Sequence, residues 1–400
     1  MNKIIFLSSK IHSFKDFKKT GIKNYITNKI FVEVWYLQKF LKNNHSTKKK
    51  INYKNRNFKI RNIKNINQLE VLVSKFKNNC VYNVEIPYSY DNRKIFQLLS
   101  KHKAKFIVSP GVYSKSKWIK IRLKDYLKYK FRQLLSGKFP HFKNIIIKKI
   151  FSFLNPKILN ISPATYSYII GKYAYNNRKS HKLIKNETKM IWGHSRTYDD
   201  YLISIKKKIV NKKKSILFID QGIPFHPDTS ELGLHSIKAK EYYYSINNFL
   251  EKIHNKFACK IEISAHPRID LKMLKKYFPN FLVKIGKTIK QVESSRLIIL
   301  HDSTAMNYAV LYNKPLLFIT NNSLNKGIHS YYEVISSKAN MLNKKCINID
   351  LDNNINIANY TDIDKKAYRD YFKNFIKFKG PKVFQSDVII KKLKNDKIWV

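Results

Sequence analysis

Glycine and proline are scarce in this 400-residue chain, ten and eleven in number, which excludes collagenous and low-complexity architectures. Cysteine is scarcer still. Cys80, Cys259 and Cys346 are odd in number, widely spaced and set in mostly apolar surroundings. That pattern argues against a disulfide framework or a zinc site and for buried thiols in a reducing compartment. No uncharged apolar run reaches the roughly 18 residues of a membrane-spanning helix. The opening MNKIIFLSSKIHSF lacks a long apolar core and a small-residue cleavage site, so it reads as a first buried strand of a cytoplasmic protein. There is no GxGxxG, no Walker-type loop, no HExxH and no CxxC pair. Phosphate-loop, dinucleotide and metal chemistries are weakened accordingly, and neither a metal nor a bound cofactor is expected.

Acidic residues are also few, 26 against 79 Lys and Arg, for a formal charge of +53. Such a charge suits nucleic acid, but abundant Lys, Asn, Ile and Tyr together are also what A+T-rich coding produces. The distribution separates the two. Residues 1–200 hold 44 basic and 9 acidic side chains, a balance of +35, and the other half balances at +18. Composition bias alone would spread the excess more evenly.

What is present is a globular protein: 44% apolar and 14% aromatic residues, long enough for two domains of about 200 residues each. Apolar strand-like runs alternate with helical patterns, the rhythm of βαβ units. Strands are expected at 4–7, 81–86, 105–108, 157–161 and 189–193 in the first half. In the second half they fall at 215–219, 260–265, 283–285, 296–300 and 315–319. Helices are expected at 69–76, 95–99, 238–254, 271–277, 288–293, 304–311 and 359–378. Residues 31–40 fit either element, and 42–65 read as loop or edge structure. The lysine run 206–214 is the expected interdomain linker. The domains are then 1–205 and 215–358, with 359–400 packing back across both. The fold class is α/β, doubly wound in both halves.

Residues 115–153 interleave Lys and Arg with Trp, Tyr, Phe, Ile and Leu at helical spacing, and 101–150 hold 15 basic residues and one acid. A basic amphipathic helix with aromatics suits an anionic membrane surface. The competing readings are a solvated basic face packed on the sheet, its lysine stems lying along it, and nucleic-acid contact.

Three strand ends carry polar residues in the second half. Asp220-Gln221-Gly222 ends the first, and its carboxylate could serve as general base toward a hydroxyl or simply form a turn. His266-Pro267-Arg268 ends the second, where His266 could donate to a leaving phosphate and Arg268 add charge-assisted bonds. His301-Asp302-Ser303-Thr304 ends the third. Ser303 and Thr304 could bind a phosphate where the strand feeds a helix, or act as an ordinary helix cap. His194, Asp199 and Asp200 form a second cluster that could face an acceptor.

The order Asp220-Gln221-Gly222, His266-Pro267, Ser303-Thr304 resembles the (D/E)(D/E)G, HP and S(S/T) series of GT-B-type bacterial sialyltransferases and polysialyltransferases, and of related capsule and surface-polysaccharide glycosyltransferases. The likeness covers roughly residues 190–330 and departs at Gln221, where those families usually have a second acid. It implies two Rossmann-like domains facing a cleft, 1–205 toward acceptor and membrane and 215–358 holding the nucleotide-sugar, with Asp220 as base on the acceptor hydroxyl, and His266, Ser303 and Thr304 on the donor's phosphate. The activity expected is metal-independent transfer from a nucleotide-sugar, CMP-linked by the resemblance, onto a glycan or lipid-linked acceptor of capsule or lipopolysaccharide, at the inner face of the plasma membrane. A CDP-glycerol-type glycerophosphotransferase has the same donor-site pattern. A basic nucleic-acid-binding protein is the alternative from another class, and the motif half's smaller charge argues against it.

Overall fold

The computed structural model describes residues 2–9, 21–38, 41, 55–76, 80–111, 142–206, 215–225, 237–325, 331–352 and 356–399. The greater part of the basic segment 115–153 and nearly all of the linker 206–214 lie outside them. The described residues fall into two compact units: those within 1–112, 139–199 and 377–400 form the first, and those within 200–376 the second.

The first unit is built on a seven-stranded parallel sheet: β1 (Lys3–Ser8), β2 (Phe31–Tyr36), β3 (Phe58–Asn62), β4 (Cys80–Val84), β5 (Lys105–Val108), β6 (Tyr166–Ile170) and β7 (Lys189–Gly193), in the order β3-β2-β1-β4-β5-β6-β7. Continuous apolar strands such as KIIFLS are buried on both faces, as a parallel sheet covered by helices requires. One core gathers Trp35, Leu69, Phe96 and Phe106. The other gathers Tyr25, Tyr166 and Trp399 with Val388, Ile389, Ile390 and Leu393 of the helix Gln385–Asn395. That last helix is pinned by Asn24, whose amide donates to Ser386 (2.7 Å) and Asp387 (2.5 Å). Inside the sheet, burial would raise the Glu33 carboxyl, but bonds from Arg61 (2.5 Å), Trp35 (2.8 Å) and Lys3 (3.2 Å) outweigh it and hold the group below its ordinary value.

The second unit carries a six-stranded parallel sheet: β8 (Ser215–Ile219), β9 (Ile261–Ala265), β10 (Leu282–Ile285), β11 (Ser295–Leu300), β12 (Leu316–Thr320) and β13 (Cys346–Asn348), in the order β10-β9-β8-β11-β12-β13. From β8 the chain winds outward through β9 and β10, then returns to β8's other side for β11. The strand order therefore reverses between β8 and β11, and in open α/β sheets the crevice at the carboxyl end of such a pair is where ligands bind.

Two expectations are corrected and one is narrowed. The run at 157–161 is not a strand but a 3₁₀ turn, Pro156–Leu159, because Asn155 caps the Lys157 N–H (3.1 Å) and Pro156 suits a first helical position. Within 42–65, read as loop or edge structure, the edge alternative holds at 58–62, where β3 lies at the sheet's edge. Only Phe58 of that strand is buried, so an edge position hid its period. The single helix expected at 359–378 is broken into a 3₁₀ turn (Ile357–Tyr360), an Asp364-capped helix (Lys365–Tyr371) and a π-helical turn (Phe372–Ile376). The expected C-terminal segment also divides. Tyr368 and Tyr371 bond Lys314 and Asn307 of the second unit, whereas 377–400 complete the first.

Candidate active site

Loops after β8, β9 and β11 meet at the carboxyl edge of the second unit, and each carries one of the three motifs. Gly222 joins the first two. Its φ of +61° lies in the left-handed region, and a β-carbon there would stand 1.7 Å from Cδ1 of Ile269. Ile269 itself closes the turn after His266-Pro267 by donating to the His266 carbonyl (3.1 Å). Only glycine permits this approach. Gln221 joins the first motif to the third. Its amide nitrogen donates to the Asp302 carbonyl, and its Oε1 accepts the Asp302 N–H at 2.7 Å. The side chain thereby continues the β8–β11 ladder past the strand ends, which a second carboxylate, having no donor, could not do.

His266 is half-buried, with Pro267 and Arg268 exposed beside it. The Arg268 N–H approaches its Nδ1 at 3.4 Å. Ser303 is half-buried and Thr304 exposed. The Ser303 hydroxyl accepts the Ala305 N–H (3.2 Å), and its carbonyl accepts that of Met306 (3.0 Å). The helix expected from Thr304 starts at Met306, so 303–305 form the turn that leads into it.

Asp220 is closed off. It is 1% exposed, its carboxylate accepting the Gly222 N–H (3.0 Å) and the Tyr243 hydroxyl (3.3 Å). Burial raises its carboxyl from 3.8 to about 7, against those two bonds. The folded state therefore holds the proton more tightly than the unfolded chain. The stability this group contributes is fully present below about pH 4 and is lost as pH rises through about 7. Asp220→Asn, which keeps an acceptor for the Gly222 N–H, should flatten that dependence: its melting temperature should fall less than the parent's between about pH 5 and 8. Parallel curves for the two proteins would show that another group titrates.

Lys338 and Asp302 were not singled out from the sequence. Lys338, on the helix Tyr331–Asn340, reaches the Asp302 carboxylate with 17% and 14% of the two side chains exposed. Burial lowers the ammonium to about 8, while the carboxylate beside it favours the charged form. The Asp302 carboxylate directly before Ser303 is thus neutralised. A lone lysine 36 residues from its partner carries no local signal, and only folding brings the pair together. His301 is fully buried between the Tyr242 hydroxyl (2.9 Å) and the Ile319 carbonyl (2.6 Å), with burial lowering it to about 4. It is a neutral core residue.

The second cluster is split, His194 and Asp199 staying together and Asp200 standing apart. His194 is fully buried, its two ring nitrogens facing the Ser195 (3.1 Å) and Val383 (2.8 Å) carbonyls, and burial lowers its pKa in spite of them. Asp199 lies 3.6 Å from that ring and accepts the Gln385 N–H. Both therefore fasten the C-terminal segment to the first unit. Asp200 belongs to the second unit, where it accepts the Tyr308 hydroxyl (2.6 Å). Among the described residues no three His, Cys, Asp or Glu side chains converge as metal ligands would.

Two Rossmann-like α/β units in one chain define the GT-B class of folds. No family model and no curated protein matches the sequence. Among solved structures, the chain is similar to the wall teichoic acid polymerase TagF. A variant of that enzyme superposes with a TM-score of 0.54 at 12% identity, over 99% of this chain and 89% of the other. Another TagF structure gives 0.53 at 11%, over the same shares. Identities this low speak to the fold alone.

Proposed function

We propose that this protein is a nucleotide-dependent transferase of surface-polysaccharide synthesis, holding the donor on its second unit and a glycan or lipid-linked acceptor on its first. The observation that carries the reading is the joining of three motif loops at the strand-order reversal of the second sheet, through Gly222 against Ile269 and Gln221 on Asp302. With a sugar donor, the acceptor hydroxyl forms a bond to the anomeric carbon as that carbon's bond to the donor phosphate breaks, the electron pair staying on the nucleotide and the hydroxyl proton passing to solvent; with CDP-glycerol the bond forms to the glycerol-bearing phosphorus and CMP leaves with the electron pair. His266 is placed to donate to that phosphate, with Arg268 adding charge and the Ser303-Thr304 turn supplying hydroxyl and backbone donors. Asp220, enclosed as it is, is given the Gly222 turn rather than the acceptor's proton. Neither a metal nor a further cofactor enters the scheme.

A CMP-linked, sialic-acid-like sugar is the first donor reading. The second, glycerol phosphate from CDP-glycerol, is favoured by the likeness to the wall teichoic acid polymerase, one structure of which, at TM-score 0.50, followed a CDPG soak. Both share a cytidine nucleotide. Thermal melting with CMP, CDP, UDP and GDP tests the shared part: a cytidine nucleotide at about 100 times its Kd should add about 2.7 kcal/mol. Turnover of a CMP-sugar or of CDP-glycerol then separates the donors. Silence with all four nucleotides, together with salt-sensitive binding of DNA or RNA, would replace the reading by nucleic-acid binding.

A further inference from the structure

The helix Phe142–Phe153 presents its apolar side outward. Ile146, Ile150 and Phe153 share one stripe by their spacing, with Ile147 alongside, and their exposures are 44%, 54%, 78% and 38%. The helix meets its own unit through Phe151, buried against the rings of Tyr88 and Tyr90 at 5.2 and 5.8 Å. A helix on a globular domain ordinarily turns such a stripe inward. A cluster of large apolar side chains left outside marks an interaction surface.

We propose that this face docks on an anionic lipid bilayer. Charge chooses the occupant. The helix holds no acid, Lys149 lies beside the stripe while Lys148 turns away from it to pair with Asp91 at 2.8 Å, and residues 101–150 contain 15 basic side chains and one acidic. A second copy of the chain would bring the same positive surroundings to the contact, and like charges facing each other oppose it. A bilayer with anionic headgroups offers negative charge at the lysines' level and an acyl boundary for the isoleucines and Phe153. Among the described residues no helix is long and apolar enough to cross a membrane, so the helix lies along the surface. The face is independent of the donor reading, because none of its residues belongs to the motif loops.

The test is co-sedimentation of the full chain with vesicles of phosphatidylcholine alone and of phosphatidylcholine with phosphatidylglycerol. The parent should pellet with the second and weakly or not at all with the first. Ile150→Ser with Phe153→Ser leaves every charge in place and should weaken binding by at least about tenfold. The double variant should melt at the parent's temperature, since both side chains already face solvent. Equal binding by parent and variant would reduce the interaction to net charge and overturn the proposal. Light scattering that finds a parent dimer which the variant splits would overturn it as well, assigning the face to a second copy.

Discussion

Replacing His266 by alanine should lower turnover by about a thousandfold or more while leaving the fold intact. The chain holds two other histidines at strand ends, and they behave differently. His194 and His301 are buried and bonded at both ring nitrogens, so their loss would leave buried carbonyls or a phenol unsatisfied, at about 1–3 kcal/mol each. His266 is half-buried, on a loop fixed mainly by its backbone and by Ile269 packing against Gly222. The measurement is turnover with the donor identified by melting, paired with the melting temperature of the variant. An active His266→Ala protein would remove the phosphate role. A collapsed melting temperature would make His266 one more structural histidine.

The second large effect concerns Lys338. Lys338→Met leaves the Asp302 carboxylate in a mostly buried position without its cation, and breaking such a pair costs about 3 kcal/mol. The bare carboxylate would also stand directly before Ser303, where the donor phosphate is proposed to bind, so nucleotide affinity should fall by at least about tenfold. Adding Asp302→Asn removes the unpaired charge and should restore much of both losses, which a role in packing alone would not produce. The pH profile gives an independent reading. The lysine's proton is lost as pH rises through about 8, so the parent's nucleotide affinity should fall above that pH while the double variant's stays level. A double variant as impaired as Lys338→Met would refute the neutralising role.

Most of the parallel strands were legible in the sequence, because strands buried on both faces read as unbroken apolar runs. Ser215–Ile219 and Leu316–Thr320 show this, every residue being buried. β3 was legible only as loop or edge structure, since an edge strand with one buried residue has no apolar run to show. The three motif loops were legible as strand ends. Their joining was not, for it depends on a strand order no local pattern encodes. Gln221 illustrates the limit. In the sequence it is a departure from a resemblance; in the fold it is the residue able both to donate to and to accept from Asp302. His194 and Asp199 mark the opposite limit, polar neighbours whose partners lie almost 190 residues away.

The helix Gln385–Asn395 carries one consequence for synthesis. It supplies four side chains to a core of the first unit, yet it follows the whole second unit in the chain. During translation the early strands of the first unit must wait, with that face of their sheet unfinished, while residues 200–376 emerge and close on themselves. The second unit is thus able to fold to completion first, although it begins later. Nascent chains halted before residue 385 should show a protease-resistant second unit attached to a first unit that is still digestible.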